Sequence, residues 1–512
     1  MSLVDRLGKI SRRSGLVASA ALVGTLVAGK MAPTQNTADT TQPPPQVQTI
    51  TQPRNTYSET TFNQQYGRLF DISGTQQAVQ GAKQAIWQMS GTPEGKKLLG
   101  DLGASQTPTK ISFSSQMDGT SYGSANPKKE GFPVELNENL TKDNTKLTTT
   151  LFHELCHVRQ YQQGVGRLSD LPEQKYDLSM AQEAEARFQT SLMASHLPDA
   201  PTNANGNAWM DKSLAVDGPV YDSVRNGLTA QDNTLSPEQV DKRAKEEVLK
   251  SMVSGKNTET VNNLVPEQTR QQFEATNQEW LHTYNMVAAA HAYDDAYPTM
   301  KHDGKRASEL VGDISERLGV DKESLLSPTG TDLTNVQKDP SGNILSGSRV
   351  SRDTQENQGS IQCTYDSQDR PVNMAELGPD GSTKSDRTYS YSAGKLPTQM
   401  QKKTPNGKTT VTYESNGTRS MEVNENENGK TTTYYEAGQR TRETEQNAYG
   451  TAETTFKDGK KSDYIYKAND GTVIDEYHQS SVQPPHIPSA DSSRSSSTTQ
   501  TPSLPLQKGV SR

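Results

Sequence analysis

The chain has 512 residues, of which only 30% are hydrophobic and 6% aromatic, so much of it cannot lie in a thick core. We expect one globular domain together with thinner or disordered parts. The formal net charge of -8 argues against a general affinity for nucleic acid or anionic lipid, and no basic patch changes this expectation. The two cysteines, Cys156 and Cys363, lie far apart in the chain and predict no disulfide framework.

Residues 1–29 have the layout of a secretory signal, in which basic side chains precede the apolar run LVASAALVGTLVAG. The run is short for a membrane span, so a cleaved signal peptide and an uncleaved N-terminal anchor are the two alternatives. The segment around Arg12 and Arg13 also has features of a twin-arginine export signal. Each version predicts that the bulk of the protein lies outside the cytoplasm, secreted or in the periplasm of a bacterial envelope.

Residues 30–58 are rich in Pro, Thr and Gln and predict a disordered linker. Residues 59–326 follow as a predicted α+β domain, mostly helical with a small sheet. Its first two helices are QQAVQGAKQAIWQM and TPEGKKLLGDL, the second behind Thr92 as N-cap. Strands are expected in KISFSSQMDGTSYGS and FPVELN. Further helices are expected at residues 179–196, at residues 236–254 behind a capping box, and at residues 267–293 and 307–318.

The amino-acid composition changes after this domain. Residues 327–364 are expected to be a linker, and residues 365–478 consist of short Thr-, Tyr- and Val-bearing runs separated by Gly-containing turns. Turn glycines recur every 21 residues, as at Gly429, Gly450 and Gly471. Because one such unit is too small to bury a face alone, stacked hairpins should form an elongated sheet or solenoid. Residues 479–512 are low in complexity and are expected to be disordered.

The segment YDSQDR, which begins at Tyr365, gives the repeat region a loose similarity to the tyrosine-aspartate repeats of Rhs-type bacterial surface and toxin proteins. Most of the units lack the Tyr-Asp pair, so the similarity does not extend to encapsulation of a toxin. The repeat region is instead expected to contact a partner in the envelope or at the cell surface.

Residues 153–157 of the helical domain read HELCH, which has the spacing of an HExxH motif. On an α-helix, side chains four residues apart share a face, so His153 and His157 can bind one Zn²⁺. Glu154 projects roughly 80° away from that face and can reach a water at the metal rather than the metal itself. Cys156 projects to the other side and is expected to pack as a small hydrophobic residue.

A catalytic zinc needs a third protein ligand. The extended metzincin motif requires Gly at position 160 and His at position 163, but the chain has Gln160 and Gln163, which excludes that class. A glutamate on the next helix is the other common solution, and that helix, expected to begin at Ser179 with a capping box, carries Glu183 and Glu185. Glu183 shares a face with small and apolar residues, whereas Glu185 aligns with glutamines on a solvated stripe, so Glu183 is the better candidate.

The combination of HELCHVRQ with EAEA about 26 residues later resembles gluzincin-type zinc metallopeptidases whose third ligand lies in an ExxA helix. Prenyl-protein endopeptidases and several bacterial metallopeptidase families share this arrangement. The resemblance covers residues 147–197 and implies a zinc site of His153, His157 and Glu183, with Glu154 as the general base. The membrane-embedded members have Asp where this chain has Arg187, so no substrate specificity can be carried over.

Together these features predict an exported zinc metallopeptidase that hydrolyses peptide bonds in a protein or peptide substrate. The strand FPVELN is expected to hold an extended substrate by main-chain pairing. Tyr161, Tyr176, His196 and His291 are candidates for the group that stabilises the oxyanion. The alternative is a non-catalytic envelope or surface binding protein with a degenerate metallopeptidase fold, in which the repeats matter more.

Overall fold

The computed structural model describes residues 57–478, apart from 106, 116, 118–121, 127–130, 164–170, 199–208, 296–305, 395, 416, 437–438 and 458–459. The predicted signal or anchor, the linker up to residue 56 and the C-terminal tail therefore lie outside the described residues. Among the helices of the described part, none combines the length and the apolar character that a membrane crossing requires.

The first part of the described chain is mainly helical. Its helices are α1 (Glu59–Tyr66), α2 (Gln76–Met89), α3 (Pro93–Leu102), α4 (Asn144–Gln162), α5 (Pro172–Ser195), α6 (Trp209–Gln231), α7 (Pro237–Ser254), α8 (Glu259–Leu264), α9 (Glu267–Asp295) and α10 (Ala307–Leu318). Its strands are β1 (Phe70–Ile72), β2 (Thr109–Ser114), β3 (Gly123–Ala125) and β4 (Val134–Asn137). Short 3₁₀ turns occupy Glu138–Lys142 and Lys322–Leu325.

Side-chain caps fix the starts of several of these helices. The Thr92 hydroxyl accepts a hydrogen bond from the Gly95 amide at the start of α3, as the sequence predicts. At the start of α7, Ser236 and Gln239 form the predicted capping box. These caps satisfy amide groups that would otherwise lack partners in the first helical turn.

The small sheet has the strand order β1-β2-β4-β3. Strands β1, β2 and β4 are parallel, and β3 runs antiparallel to β4 at one edge. Ile111, Val134 and Leu136 are fully buried in the cluster that joins the sheet to α2, α3 and α4. A second apolar cluster lies among α5, α6, α7, α9 and α10. Helix α5 packs against α4 on one side and against α6, α9 and α10 elsewhere, so it links the two cores.

A 13-stranded antiparallel sheet follows, in which every strand pairs with its neighbours in chain order. Its strands are β5 (Thr331–Lys338), β6 (Ile344–Ser351), β7 (Asn357–Tyr365), β8 (Pro371–Leu377), β9 (Thr383–Tyr391), β10 (Pro397–Thr404), β11 (Gly407–Tyr413), β12 (Arg419–Asn426), β13 (Gly429–Glu436), β14 (Gln439–Gln446), β15 (Gly450–Lys457), β16 (Lys460–Ala468) and β17 (Val473–His478). The predicted hairpin array is therefore present as one long sheet. The prediction of a linker at residues 327–364 is wrong, because β5, β6 and most of β7 lie there.

The 21-residue repeat has a physical basis in the outer strands. Arg419 pairs with Glu422, and 21 residues later Arg440 pairs with Glu443. The Arg440 guanidinium also lies 4.0 Å from the centre of the Phe456 ring on the next strand. At Gly429 a β-carbon would collide with a carbonyl oxygen of the neighbouring strand, which explains the glycine in that turn.

The large sheet is attached to the N-terminal end of α5. Leu171, the N-cap residue of α5, belongs to the apolar cluster of the sheet. Arg352 donates two 2.7 Å hydrogen bonds to the carboxylate of Asp177 on α5. Arg349 forms a second, buried ion pair with Glu173 one turn earlier. The helix that carries the candidate ligand Glu183 is thus anchored by the sheet.

Candidate metal centre

Helix α4 presents the HELCH motif in its C-terminal half. Asp143 caps the helix by accepting a hydrogen bond from the Lys146 amide, directly after the 3₁₀ turn that follows β4. His153 and Glu154 are buried, and His157 is half-buried. Cys156 is fully buried among apolar residues, as predicted, and burial raises the pKa of its thiol to about 12.

Helix α5 brings the acidic residues of the EAEA segment to the motif. The helix begins at Pro172 behind Leu171, two turns earlier than the sequence predicts. The predicted capping box at Ser179 is therefore wrong, because Ser179 lies inside the helix. The start is displaced because Leu171 and the first turn of α5 pack against the large sheet, a contact distant in sequence.

The side chains of His153, His157 and Glu183 converge on one point. The two Nε2 atoms are 3.2 Å apart, and each lies 3.2 Å from a carboxylate oxygen of Glu183. All the ligand atoms of this group lie within 4.8 Å of one another. The three residues predicted as metal ligands are thus brought together and could hold a metal ion.

The charges at this point are strongly coupled in the protein without metal. Burial alone would lower the pKa of His157, but the adjacent Glu183 carboxylate outweighs it and raises the pKa to about 9. Burial would raise the pKa of Glu183, but His153 and His157 hold it well below its usual range. A metal ion that binds here must displace protons from these groups.

Glu154 lies beside the triad rather than within it. Burial raises the pKa of its carboxyl group, although His153, His157 and a hydrogen bond from the Ala125 amide oppose the shift. Gly123 approaches the same side chain so closely that a β-carbon there would lie 3.0 Å from Glu154 Cγ. The small sheet therefore fixes the position of this carboxylate through its edge strand.

The edge strand is β3. The expectation that FPVELN holds an extended substrate by main-chain pairing is therefore wrong. The segment forms β4, which pairs with β2 on one side and β3 on the other and has no open edge for a substrate. Hydrogen bonds from the Asn126 amide to Pro133 and from the Asn137 amide to Tyr122 show which peptides of β3 face β4. The alternation of an antiparallel ladder then turns the peptide groups of Gly123 and Ala125 towards the outer edge.

Two tyrosines stand near the triad, and the sequence identified one of them. The Tyr161 ring stacks on His157 with centroids 6.2 Å apart, and burial followed by the nearby carboxylates raises its pKa. The second is Tyr284 on α9, which the sequence does not predict. Its hydroxyl hydrogen-bonds to Glu183, and burial together with that carboxylate raises its pKa well above the usual value. No local motif marks Tyr284, because it reaches the site from a helix about 100 residues further along the chain.

Two of the other predicted oxyanion candidates, Tyr176 and His196, have their described contacts away from the triad. The Tyr176 hydroxyl donates to Asn285 and contacts Thr329, and His196 lies exposed beside Glu94. His291 falls within α9, but its side chain lies outside the described residues. Of the named candidates, only Tyr161 therefore has a described position near His157.

The environment of Glu185 corrects another expectation. Its side chain is buried rather than solvated, because it lies between Arg159 of α4 and Arg317 of α10. Burial would raise its pKa, but the two guanidinium groups lower it. Gln160 of α4 bonds to the same carboxylate and to His157. Helix periodicity predicts neither the arginine pairing of Glu185 nor the contacts of Gln160, since the partners come from separate helices.

The described residues offer a buried site with two imidazoles, one carboxylate ligand and a second carboxylate aimed beside them. Such a donor set suits a divalent transition metal. Comparison with protein family models and with curated protein sequences gives no match to this chain.

Proposed function

We propose that the protein is an exported zinc-dependent metallopeptidase with a zincin-like helical domain. The observation that carries the proposal is the convergence of His153, His157 and Glu183 with Glu154 beside them. Ligands around tetrahedral zinc at about 2.1 Å from the metal are separated by about 3.4 Å. The two Nε2 atoms are 3.2 Å apart, and each lies 3.2 Å from a different oxygen of the Glu183 carboxylate. These separations are close to the expected value and support a zinc site in which Glu183 completes the ligand set.

Three protein ligands leave one tetrahedral position for chemistry. When bound, zinc would activate a water molecule and polarise a peptide carbonyl. Glu154 would accept the proton of the attacking water and pass it to the leaving amine. The hydrogen bond from the Ala125 amide and the close approach of Gly123 would keep this carboxylate oriented.

Substrate binding is proposed at the outer edge of β3. An extended peptide could pair with the Gly123 peptide group and the Ala125 carbonyl, since the Ala125 amide bonds to Glu154. This pairing would place the scissile bond near Glu154. Tyr161, whose ring stacks on His157, is proposed to donate a hydrogen bond to the developing oxyanion. Export is supported by the N-terminal sequence, which has the charge and apolar layout of a secretory signal.

The test compares purified wild type with a Glu154→Gln variant. We expect both proteins to contain one zinc per chain, and the variant to cleave a peptide library about 10²- to 10⁴-fold more slowly. A His153→Ala variant is the matched control for metal loss and should lose both zinc and cleavage. Equal cleavage by wild type and Glu154→Gln, or wild type that binds no stoichiometric zinc, would reject the proposal.

The alternative function, a non-catalytic binding protein, has one observation in its favour. Several of the exposed large hydrophobic side chains in the described chain lie at the outer end of the large sheet, including Tyr449, Ile474 and Tyr477. Under this alternative the chain would cleave no member of the library, and a degenerate site would also lack stoichiometric zinc. Cleavage together with zinc content therefore separates the two functions.

A further inference from the structure

Gln160 touches His157 but is not among the metal ligands. It lies one turn after His157 on α4 and is almost fully buried. Its side-chain amide is 2.9 Å from His157 Nδ1 on one side. On the other side it lies 2.9 Å from both the Gln182 carbonyl and the Glu185 carboxylate. One amide thus bridges the imidazole to the helix that carries Glu183.

The chemistry of these partners fixes the orientation of the amide. The Gln182 carbonyl and the ionised Glu185 carboxylate can only accept hydrogen bonds, so the amide nitrogen of Gln160 must face them. The amide oxygen, which can only accept, must then face His157. His157 Nδ1 must therefore carry a hydrogen, which leaves the Nε2 lone pair of the neutral ring for a metal.

The orientation of Gln160 is itself anchored by charge. Glu185 accepts hydrogen bonds from Arg159 at 2.7 Å and from two nitrogens of Arg317, each at 2.7 Å. Its side chain is 1% exposed, so these donors hold the carboxylate in one place. The order of the contacts runs from the arginines to Glu185, to Gln160 and then to His157. Helices α4, α5 and α10 all contribute to it.

We propose that Gln160 is a positioning residue that locks His157 in the Nδ1–H tautomer and thereby presents Nε2 to zinc. The inference rests on the proposed function, because a tautomer lock matters only if His157 binds a metal. Residues that orient a metal-bound imidazole contribute about 10- to 100-fold to metal affinity. Loss of the Gln160 amide should weaken zinc binding by a factor in that range.

The experiment compares wild type with Gln160→Met, which keeps the length of the side chain but removes both its donor and its acceptor. Zinc affinity is measured by competition with a chromophoric chelator, and folding by circular dichroism and thermal unfolding. The matched control is Gln163→Met, because Gln163 bonds to Arg317 at 2.7 Å and has no bond to His157 among the described contacts. We expect Gln160→Met to bind zinc about 10- to 100-fold more weakly and Gln163→Met to match wild type.

A second measurement reads the tautomer without metal. In metal-free protein labelled with ¹⁵N-histidine, the ring-nitrogen shifts of His157 at alkaline pH should show the Nδ1–H form in wild type. A mixture of tautomers is expected in Gln160→Met. The chain has only 8 histidines, so a His157→Asn spectrum can assign the signal. An Nε2–H tautomer in wild type, or zinc affinity unchanged in Gln160→Met, would overturn the inference. Wild type without zinc affinity would reject the proposed function, whereas the tautomer measurement would still decide the role of Gln160.

Discussion

The helical domain and the large sheet handle charge in different ways. In the helical domain, Arg187 and Asp217 form a bidentate pair whose side chains are both 0% exposed. In the outer sheet, Arg442 and Glu453 pair between two neighbouring strands, and their side chains are 47% and 52% exposed. A buried pair is costly to break, because the remaining charge stays in a region of low dielectric constant. Breaking a pair that is open to water costs little stability.

The apolar cores of the two regions also differ in extent, and the core of the large sheet is the smaller one. The buried residues of the large sheet lie mainly in its first half: Ile344, Ile361, Cys363, Met374, Tyr389, Met400 and Val411. The last strand, β17, is exposed along its whole length. The outer strands are therefore held mainly by main-chain pairing and cross-strand side-chain contacts. Sensitivity to substitution should fall from the helical domain towards β17.

The largest effect is expected at the buried pair of the helical domain. Replacing Asp217 with Ala leaves the Arg187 guanidinium without its carboxylate partner inside the core. We expect the free energy of unfolding to fall by about 3–5 kcal/mol. Urea unfolding followed by tryptophan fluorescence measures this, because all 3 tryptophans lie in the helical part of the chain.

The matched change in the outer sheet is Glu453→Ala, which removes the partner of Arg442. Because this pair is partly exposed, the loss should stay below about 1 kcal/mol. Equal losses for the two variants would contradict the contrast between the two regions.

The junction between the regions should show an intermediate effect. Replacing Arg352 with Ala leaves the largely buried Asp177 carboxylate on α5 without its bidentate partner. We expect a loss of about 2 kcal/mol. Because the pair joins the sheet to α5, the transitions seen by tryptophan fluorescence and by the β-sheet signal in circular dichroism should both shift.

A control for the junction is Arg370→Ala, whose ion pair with Asp366 lies within the sheet. This variant should leave the tryptophan transition near its wild-type midpoint. If Arg352→Ala moved only the β-sheet signal, the sheet would not support α5.

The sequence could predict those features that depend on local pattern. Helices with regular apolar spacing and side-chain caps were predicted, as were the turn glycines of the repeat. The triad was also accessible, because His153 and His157 share one helix face and Glu183 follows on the next helix. Each of these inferences uses residues that are close in the chain.

Features that depend on distant contacts could not be predicted in this way. Local pattern does not predict helix α6, because Pro219 lies inside it and a proline normally breaks a helix. Val216, Val220 and Val224 nevertheless bury a continuous stripe against neighbouring helices. The sequence predicts a linker where strands β5 to β7 form, since their pairing depends on strands further along the chain. Tyr284 and Arg317 reach the site from remote helices and leave no local signal.

The two sheets should also differ in their tolerance of an added methyl group. In Gly123→Ala, the new carbon would lie 3.0 Å from Glu154 Cγ and displace the proposed base. We expect peptide cleavage about tenfold slower, with zinc content unchanged. Gly394→Ala in the large sheet is the control, because no atom lies within 4 Å of its β-carbon position. Loss of zinc together with activity in Gly123→Ala would show a disturbed triad rather than a displaced base.

The last comparison concerns the change of stability with pH. The pKa of Glu185 is lower in the folded protein than in the unfolded chain, because Arg159 and Arg317 outweigh the effect of burial. The pKa of Glu376 in the large sheet is lowered in the same way by Arg387 and Arg349. Since the unfolded chain takes up these protons first, their stabilisation is complete above about pH 4.3 and is lost as the pH falls below it.

The free energy of unfolding, measured against urea from pH 7 to pH 3, should therefore show a gap between wild type and Glu185→Gln that narrows as the pH falls through 4. The gap between wild type and Glu376→Gln should narrow over the same pH range, because the Glu376 carboxylate is also paired with arginines. Glu316→Gln, at an exposed position on α10, controls for the loss of one negative charge. A gap that stayed constant down to pH 3 for Glu185→Gln would mean that Glu185 stabilises the fold without its charge. The charge-anchored orientation of Gln160 would then lose its physical basis.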